Sequence, residues 1–459
     1  MHTLSAGMPR IAVSSVGGEL ADALQDARLS RLNHWNAHAM NPTTLLLVQL
    51  AVILGAARLC GALLQRIGQP PVIGEMAAGL LLGPIAFGAW LPDLHMALFA
   101  ARSLPPLSGL ATMGVVLFMF VVGVELRAPE GTKAQVRASI LVGVSGIVLP
   151  LLLGLAAAPW LFPRFAPQGV SFWPFALFIA AAMSVTAFPV LARILKDRNM
   201  TRTPAGRLAL GAAVIDDATV WIFLAIVLTL TGNNAHGGVA FTAIGALVLI
   251  AAVFGVLRPA YARVLRPHAH DGRYAPSALV WVLIGLLACA ALAEWIGLHA
   301  IFGAFLFGIC LPRDDRLLEH LAGRIEPLAI TLLMPVLFAV AGQATSPGAF
   351  AGAGLSGLVL VIGVAVGGKL LGCTLGARLS GHHWRDSLTV GSLMNARGLM
   401  ELVVIKIGLD SGVIGPDLFT LLFGMTLVTT VMASPMVAWF QRKRHAAADA
   451  LAASNSPHG

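Results

Sequence analysis

Two adjacent carboxylates, Asp216 and Asp217, sit in the middle of an otherwise apolar run from Leu208 to Trp221. Neighbours on a helix point about 100° apart, so one acid can face an ion pathway while the other faces a protein partner. Desolvation makes a carboxylate hold a proton more tightly, and a nearby positive charge favours the ionised form. A single acid can therefore bind either a proton or a metal cation in turn, which is the minimum chemistry of an exchanger. Lys369, within the apolar stretch Ile362 to Gly372, is the one lysine at comparable depth and the natural counter-charge for one of the two acids. Two blander roles stand beside these: an Asp pair pinned by basic or backbone donors to fix packing, and a lysine that snorkels to the basic end of its span.

Two further segments carry chemistry. Ser184, Thr186 and Pro189 fall in Ala182 to Arg193, where the proline has no N–H for the carbonyl of Val185. Hydroxyls and a freed carbonyl beside a proline suit a broken helix, although prolines also kink membrane helices without function. Asn395, Arg397, Gly398 and Glu401 fall in Asn395 to Leu402; Arg397 and Glu401 are four residues apart on one face and able to pair, and Gly398 permits unwinding. Glu75 is mid-span, fitting either a structural pair or a role in ion access. Glu125 beside Arg127 reads as structural, and Glu294 as solvated near a span end. His236, His268, His270, His382 and His383 lie in loops and read as solvated.

The elements that must hold these residues are membrane helices. The chain of 459 residues is 58% hydrophobic and 11% charged, with a mean hydropathy of +0.84. Ordinary soluble domains carry roughly a quarter charged residues, so a water-soluble enzyme is excluded. Apolar stretches of about 20 residues recur along the chain, the length that crosses a bilayer core as a helix. Breaks at Gly, Pro and charged residues give thirteen spans, near 43–65, 71–84, 108–127, 135–161, 172–196, 204–231, 239–265, 276–296, 299–312, 326–342, 353–379, 386–408 and 414–441. The segments at 71–84 and 299–312 are short enough to require tilting or unwinding. Residues 1–42 form a polar tail and 442–459 a short one; the first carries no signal-peptide pattern, and Met40 is an alternative start to Met1.

The net charge of +9 and pI near 10.1 come from basic residues in short loops, which report topology and not a nucleic-acid partner. Most of the 30 Lys and Arg lie on the side shared with the C-terminus. The expectation is a cytoplasmic C-terminus, an external N-terminus and residence in the cell inner (plasma) membrane. Cys60, Cys289, Cys310 and Cys373 all fall in apolar stretches without metal-ligand spacing, so they read as packing residues. No cofactor is expected.

Gly79 to Pro84 is echoed by Phe305 to Pro312, and Val116 to Gly123 by Met334 to Gly342. Two six-span units, 43–231 and 276–441, joined by the span at 239–265, must face opposite ways in the membrane. That arithmetic belongs to secondary transporters, whose sites lie near the midplane on discontinuous helices.

Ser184 to Leu195, the Asp216-Asp217 pair and Asn395 to Leu402 resemble the monovalent cation/proton antiporters. The likeness is greatest to the branch that holds plant cation/proton exchangers, the yeast potassium/proton antiporter and bacterial glutathione-gated potassium efflux systems. Pro71 to Glu75, Gly83-Pro84 and Gly297 to Phe305 extend it, so that it covers roughly 43–441. The resemblance implies an all-α fold of inverted repeats in which the fifth and twelfth spans are broken and cross, a core domain that moves against a dimer domain, and a homodimer. It implies that Asp217 carries the ion and the proton, that Asp216 pairs with Lys369, and that Thr186 lies at the crossover. Sodium or potassium would then be the cation held by Asp217 and Asp216. Many plant-type relatives carry Asn at the position of Asp216, and the glutathione-gated ones Gln. With a tail of this length, the nucleotide-binding domain of the gated systems is not expected.

Two rival functions fit part of this pattern. A sodium-coupled organic-anion carrier shares crossed broken helices, but an acid-rich site suits small cations. An intramembrane aspartyl protease needs acids from two helices and a Gly-x-Gly-Asp stretch, which does not occur here.

Overall fold

The computed structural model describes residues 41–125, 133–230, 238–265, 269–270, 273–274, 276–312 and 315–454. The chain forms two compact units, Met1–Gln49 and Leu50–Gly459. In the first, the described part is the opening of the helix α1 (Pro42–Arg66); the account below concerns the second.

The described chain is helical apart from loops and a two-residue antiparallel ladder between Ala269–His270 and Arg273–Tyr274. Nine of the described helices are long and apolar enough to cross a membrane, and Phe172–Ser184 and Ala300–Cys310 are shorter apolar helices. After α1 come α2 (Pro71–Leu82), α3 (Leu104–Glu125) and α4 (Lys133–Phe165). The expected span at 172–196 is two helices, α5 (Phe172–Ser184) and α6 (Phe188–Asp197), followed by α7 (Pro204–Leu230). Next are α8 (Gly238–Ala252), α9 (Arg258–Leu265), α10 (Pro276–Ile296), α11 (Ala300–Cys310), α12 (Asp315–Leu328) and α13 (Met334–Gln343). The set closes with α14 (Gly354–Leu379), the broken pair α15 (Trp384–Met394) and α16 (Leu399–Asp410), and α17 (Pro416–Ser454). The last helix runs past the expected end of its span at 441, because the Ala-rich segment after Phe440 keeps helix propensity where the apolar run stops.

Single π-helical turns, Val253–Leu257 and Ala329–Leu333, join α8 to α9 and α12 to α13. Each is followed two residues on by a proline, Pro259 or Pro335, which has no N–H to return to the ladder.

The helices sort into two bundles. In one, α4 lies along α14, with α5 and α7 on α4 and with α15 and α17 on α14. In the other, α3 packs on α11 and α13, α2 on α13, and α10 on α11. Glycines set the closest approaches in the second bundle: a methyl group on Gly79 would collide with the Phe338 backbone, and one on Gly342 with the Gly79 carbonyl. Gly123 and Gly308 meet in the same manner, Gly123 against Phe305 and Gly308 against Phe120. The sequence echoes therefore pack crosswise, α2 on α13 and α11 on α3, each through a close glycine approach. Small residues that let backbones approach are the usual glue between membrane helices, where lipid removes the hydrophobic drive to associate.

Candidate functional site

The site is built where the two broken helices cross. α5 ends at Ser184 and Val185 is extended (φ −65°, ψ 139°); α6 starts at Phe188, so Pro189 occupies the first helical turn, where no N–H is required. Opposite, α15 ends at Met394 and α16 resumes at Leu399. The breaks are stitched to each other. The Ala187 N–H donates to the Ala396 carbonyl (3.1 Å), and the Thr186 hydroxyl donates to the Met394 carbonyl (3.2 Å). A Cβ on Gly398 would come 2.8 Å from Val190 Cγ2, so a larger residue there would have to displace the Val190 side chain.

Arg397 holds the crossing together. Its side chain is fully buried, and its guanidinium donates to the carbonyls of Ala182 (2.9 Å) and Met183 (2.5 Å), two of the orphan acceptors at the end of α5. It also donates to Glu401 Oε2 at 2.9 Å. The cation thus sits at a helix C-terminus and the anion in the first turn of α16, each where the helix dipole favours it. The Thr430 hydroxyl from α17 donates to the Arg397 carbonyl (2.8 Å). Ser184, by contrast, spends its hydroxyl within its own helix on Ala181 (2.7 Å).

Beside this crossing, α7 brings the two acids. Lys369 Nζ on α14 donates to both Asp216 oxygens, at 2.8 and 3.0 Å, with neither side chain exposed. The Thr186 hydroxyl also faces Asp216. Asp217 is 3% exposed, and its Oδ2 has no hydrogen-bond partner. Asn395 is fully buried, and neither its Oδ1 nor its Nδ2 has a partner. Among the described residues, the buried charges are Asp216, Asp217, Lys369, Arg397 and Glu401. Four of them pair off, and Asp217 is the odd one. The structure therefore gathers Asp216, Asp217, Thr186, Lys369, Asn395, Arg397, Gly398 and Glu401 at one place. Glu75 is half-buried on α2, whose main neighbour is α13.

A second group escaped sequence reasoning. A recess of about 90 Å³ lies on the seam between the bundles, lined by Ser108, Thr112, His299, Lys406 and Asp410 among others. Lys406 and Asp410 pair on the last turns of α16. Glu294 is more than a solvated end residue: its carboxylate accepts the Ala300 N–H at 2.6 Å, capping α11, and lies 3.8 Å from His299 Nδ1. The i, i+4 spacing of Lys406 and Asp410 was the available signal, but their position opposite His299 is set by the fold.

Residues 53–443 match the family model described as sodium/hydrogen exchanger, transmembrane. The chain is 38% identical over 399 residues to the Na(+)/H(+) antiporter NhaS4 of Synechocystis sp., covering 86% of this chain and 97% of that protein. It is 33% identical over 419 residues to K(+)/H(+) antiporter 1 of Saccharomyces cerevisiae, covering 89% of this chain and 48% of that one, so it spans about half the length of the yeast relative. The Na(+)/H(+)-K(+) antiporter GerN of Bacillus cereus is 29% identical, over 85% of this chain and 94% of its own. The structure of the sodium proton antiporter MjNhaP1 from Methanocaldococcus jannaschii superposes with a TM-score of 0.59 at 15% identity, covering 87% of this chain and 98% of that one, and shows a shared fold. Broken helices that cross, an acid pair with its lysine, and these likenesses agree: the chain belongs to the sodium/hydrogen exchanger family of cation/proton antiporters.

Proposed function

We propose that this protein exchanges protons for sodium or potassium at Asp217, by alternating access across the cell inner membrane. The charge balance of the buried cluster carries the reading. Asp216 with Lys369 and Arg397 with Glu401 are internally neutral, which leaves Asp217 as a lone negative charge with an unpartnered oxygen. An isolated ionised carboxylate in a low-dielectric interior is prohibitively costly, so the group takes up a proton or a counter-ion. Both ligands neutralise the same single charge, so they exclude each other. A carrier that moves only when Asp217 is neutral couples the two fluxes without any further device.

The remaining parts of the reading follow the family resemblance and the loop charges. The chain acts as a homodimer, in which the bundle of α4, α5, α7, α14 and α15 moves against the other. Repeat one is 43–231, the linker helix 239–265 and repeat two 276–441; the tail 1–42 is external and 442–459 cytoplasmic. Mutual exclusion is tested by adding sodium, potassium or lithium to everted vesicles, in a strain lacking its own antiporters, over a pH series. The account expects proton release on cation addition, with the cation KM rising up to about tenfold for each unit of acidification once the proton wins, because linkage is reciprocal. A cation KM indifferent to pH throughout would contradict a shared site.

A further inference from the structure

At the crossover, Asn395 has neither polar atom of its side chain paired, whereas Arg397 and Glu401 each leave one atom unpaired, Nε and Oε1, while bonding through others. The Asn395 side chain is 0% exposed, and both the amide oxygen and the amide nitrogen lack a hydrogen-bond partner. Buried side-chain polar atoms in proteins are satisfied in the large majority of cases, and an asparagine with nothing at either end calls for a specific explanation. A merely structural role does not supply one, because the backbone on either side already makes the joint: the Met394 carbonyl accepts from Thr186 and the Ala396 carbonyl from the Ala187 N–H. α15 packs on α7, the helix that carries Asp217, whose Oδ2 is also unpartnered.

We propose that Asn395 is a ligand for the transported monovalent cation, its side-chain carbonyl supplying a neutral oxygen to the shell that Asp217 opens with a charged one. The inference rests on Asp217 as the exchange site and assigns the second ligand. A hard monovalent cation entering the membrane interior must exchange waters for oxygen donors, and every further carboxylate in the shell would add a charge that one cation cannot neutralise. A neutral amide oxygen replaces a water without altering the charge balance. It also does not titrate, so it discriminates between the two substrates: the cation uses it and the proton on Asp217 does not.

The test is kinetic, on purified protein in liposomes, with sodium and potassium varied separately at fixed pH. Asn395→Ala is expected to raise the cation KM at least tenfold with little change in maximal rate. Asn395→Thr, which keeps an oxygen on a short arm, is expected to recover part of that loss and to alter the sodium-to-potassium ratio. Thermal unfolding with added sodium or potassium gives a second readout: a cation that binds the folded protein raises its midpoint, and Asn395→Ala is expected to lose that rise. If the alanine protein does not fold, the threonine protein is read in its place. An unchanged cation KM with a lowered maximal rate, in either variant, would show Asn395 to be a structural part of the crossing and overturn the proposal. Transport that persists in Asp217→Asn would instead overturn the reading of the exchange site itself.

Discussion

The Lys369 ammonium engages both oxygens of Asp216, at 2.8 and 3.0 Å, across 153 residues of sequence and with both side chains fully buried. Removing one partner of such a pair strands a charge where water cannot reach it, at a cost of about 3–5 kcal/mol, whereas removing both together is often tolerated. Lys369→Ala is therefore expected to lower the thermal midpoint of the purified protein sharply, and Lys369→Met with Asp216→Leu to restore most of it. A single mutant as stable as the parent would mean that the pair bears no buried charge.

The same pair bears on stoichiometry. If Asp217 exchanges one proton for one cation and a second proton breaks the Asp216–Lys369 pair, two protons would move against one cation and each turnover would carry one net charge. The membrane potential then contributes about 2.3 kcal/mol per 100 mV. Proton flux in liposomes is expected to respond to an imposed potential of either sign, and Asp216→Asn to remove the response. Rates indifferent to potential in the parent protein would indicate electroneutral exchange.

The basic loops predict a topology that labelling can check. A cysteine near Arg202 is expected to react with an impermeant thiol reagent from the cytoplasm alone, and one near Asn233 from outside alone. The opposite pattern would invert the orientation.

Much of the architecture was legible because lipid is an unforgiving solvent. Charged residues in a span cost about 2.5 to 3.5 kcal/mol on insertion scales, so Asp216, Asp217 and Lys369 announce themselves against the apolar background. The fifth span advertised its break through Pro189 and the twelfth through Gly398, and the two breaks do cross. Contacts between distant segments were not legible in the same way. Arg397 was readable as the partner of Glu401 one turn away, but its bonds to the carbonyls of Ala182 and Met183 depend on the crossing. The recess formed by His299, Lys406 and Asp410 likewise draws on helices that meet only in the fold. The π-helical turns at Val253–Leu257 and Ala329–Leu333 keep the apolar periodicity nearly intact and leave only a neighbouring proline as a trace.

The claim that Asp217 is the shared carrier is tested most directly by Asp217→Asn in reconstituted liposomes, with sodium- and potassium-driven proton movement measured against the parent protein at equal protein content. The asparagine cannot give up a proton in exchange for a cation and carries no charge for a cation to neutralise. The account predicts loss of exchange for both ions in a protein that inserts, purifies and unfolds as the parent does. Substantial cation-driven proton movement by that well-folded variant would contradict it.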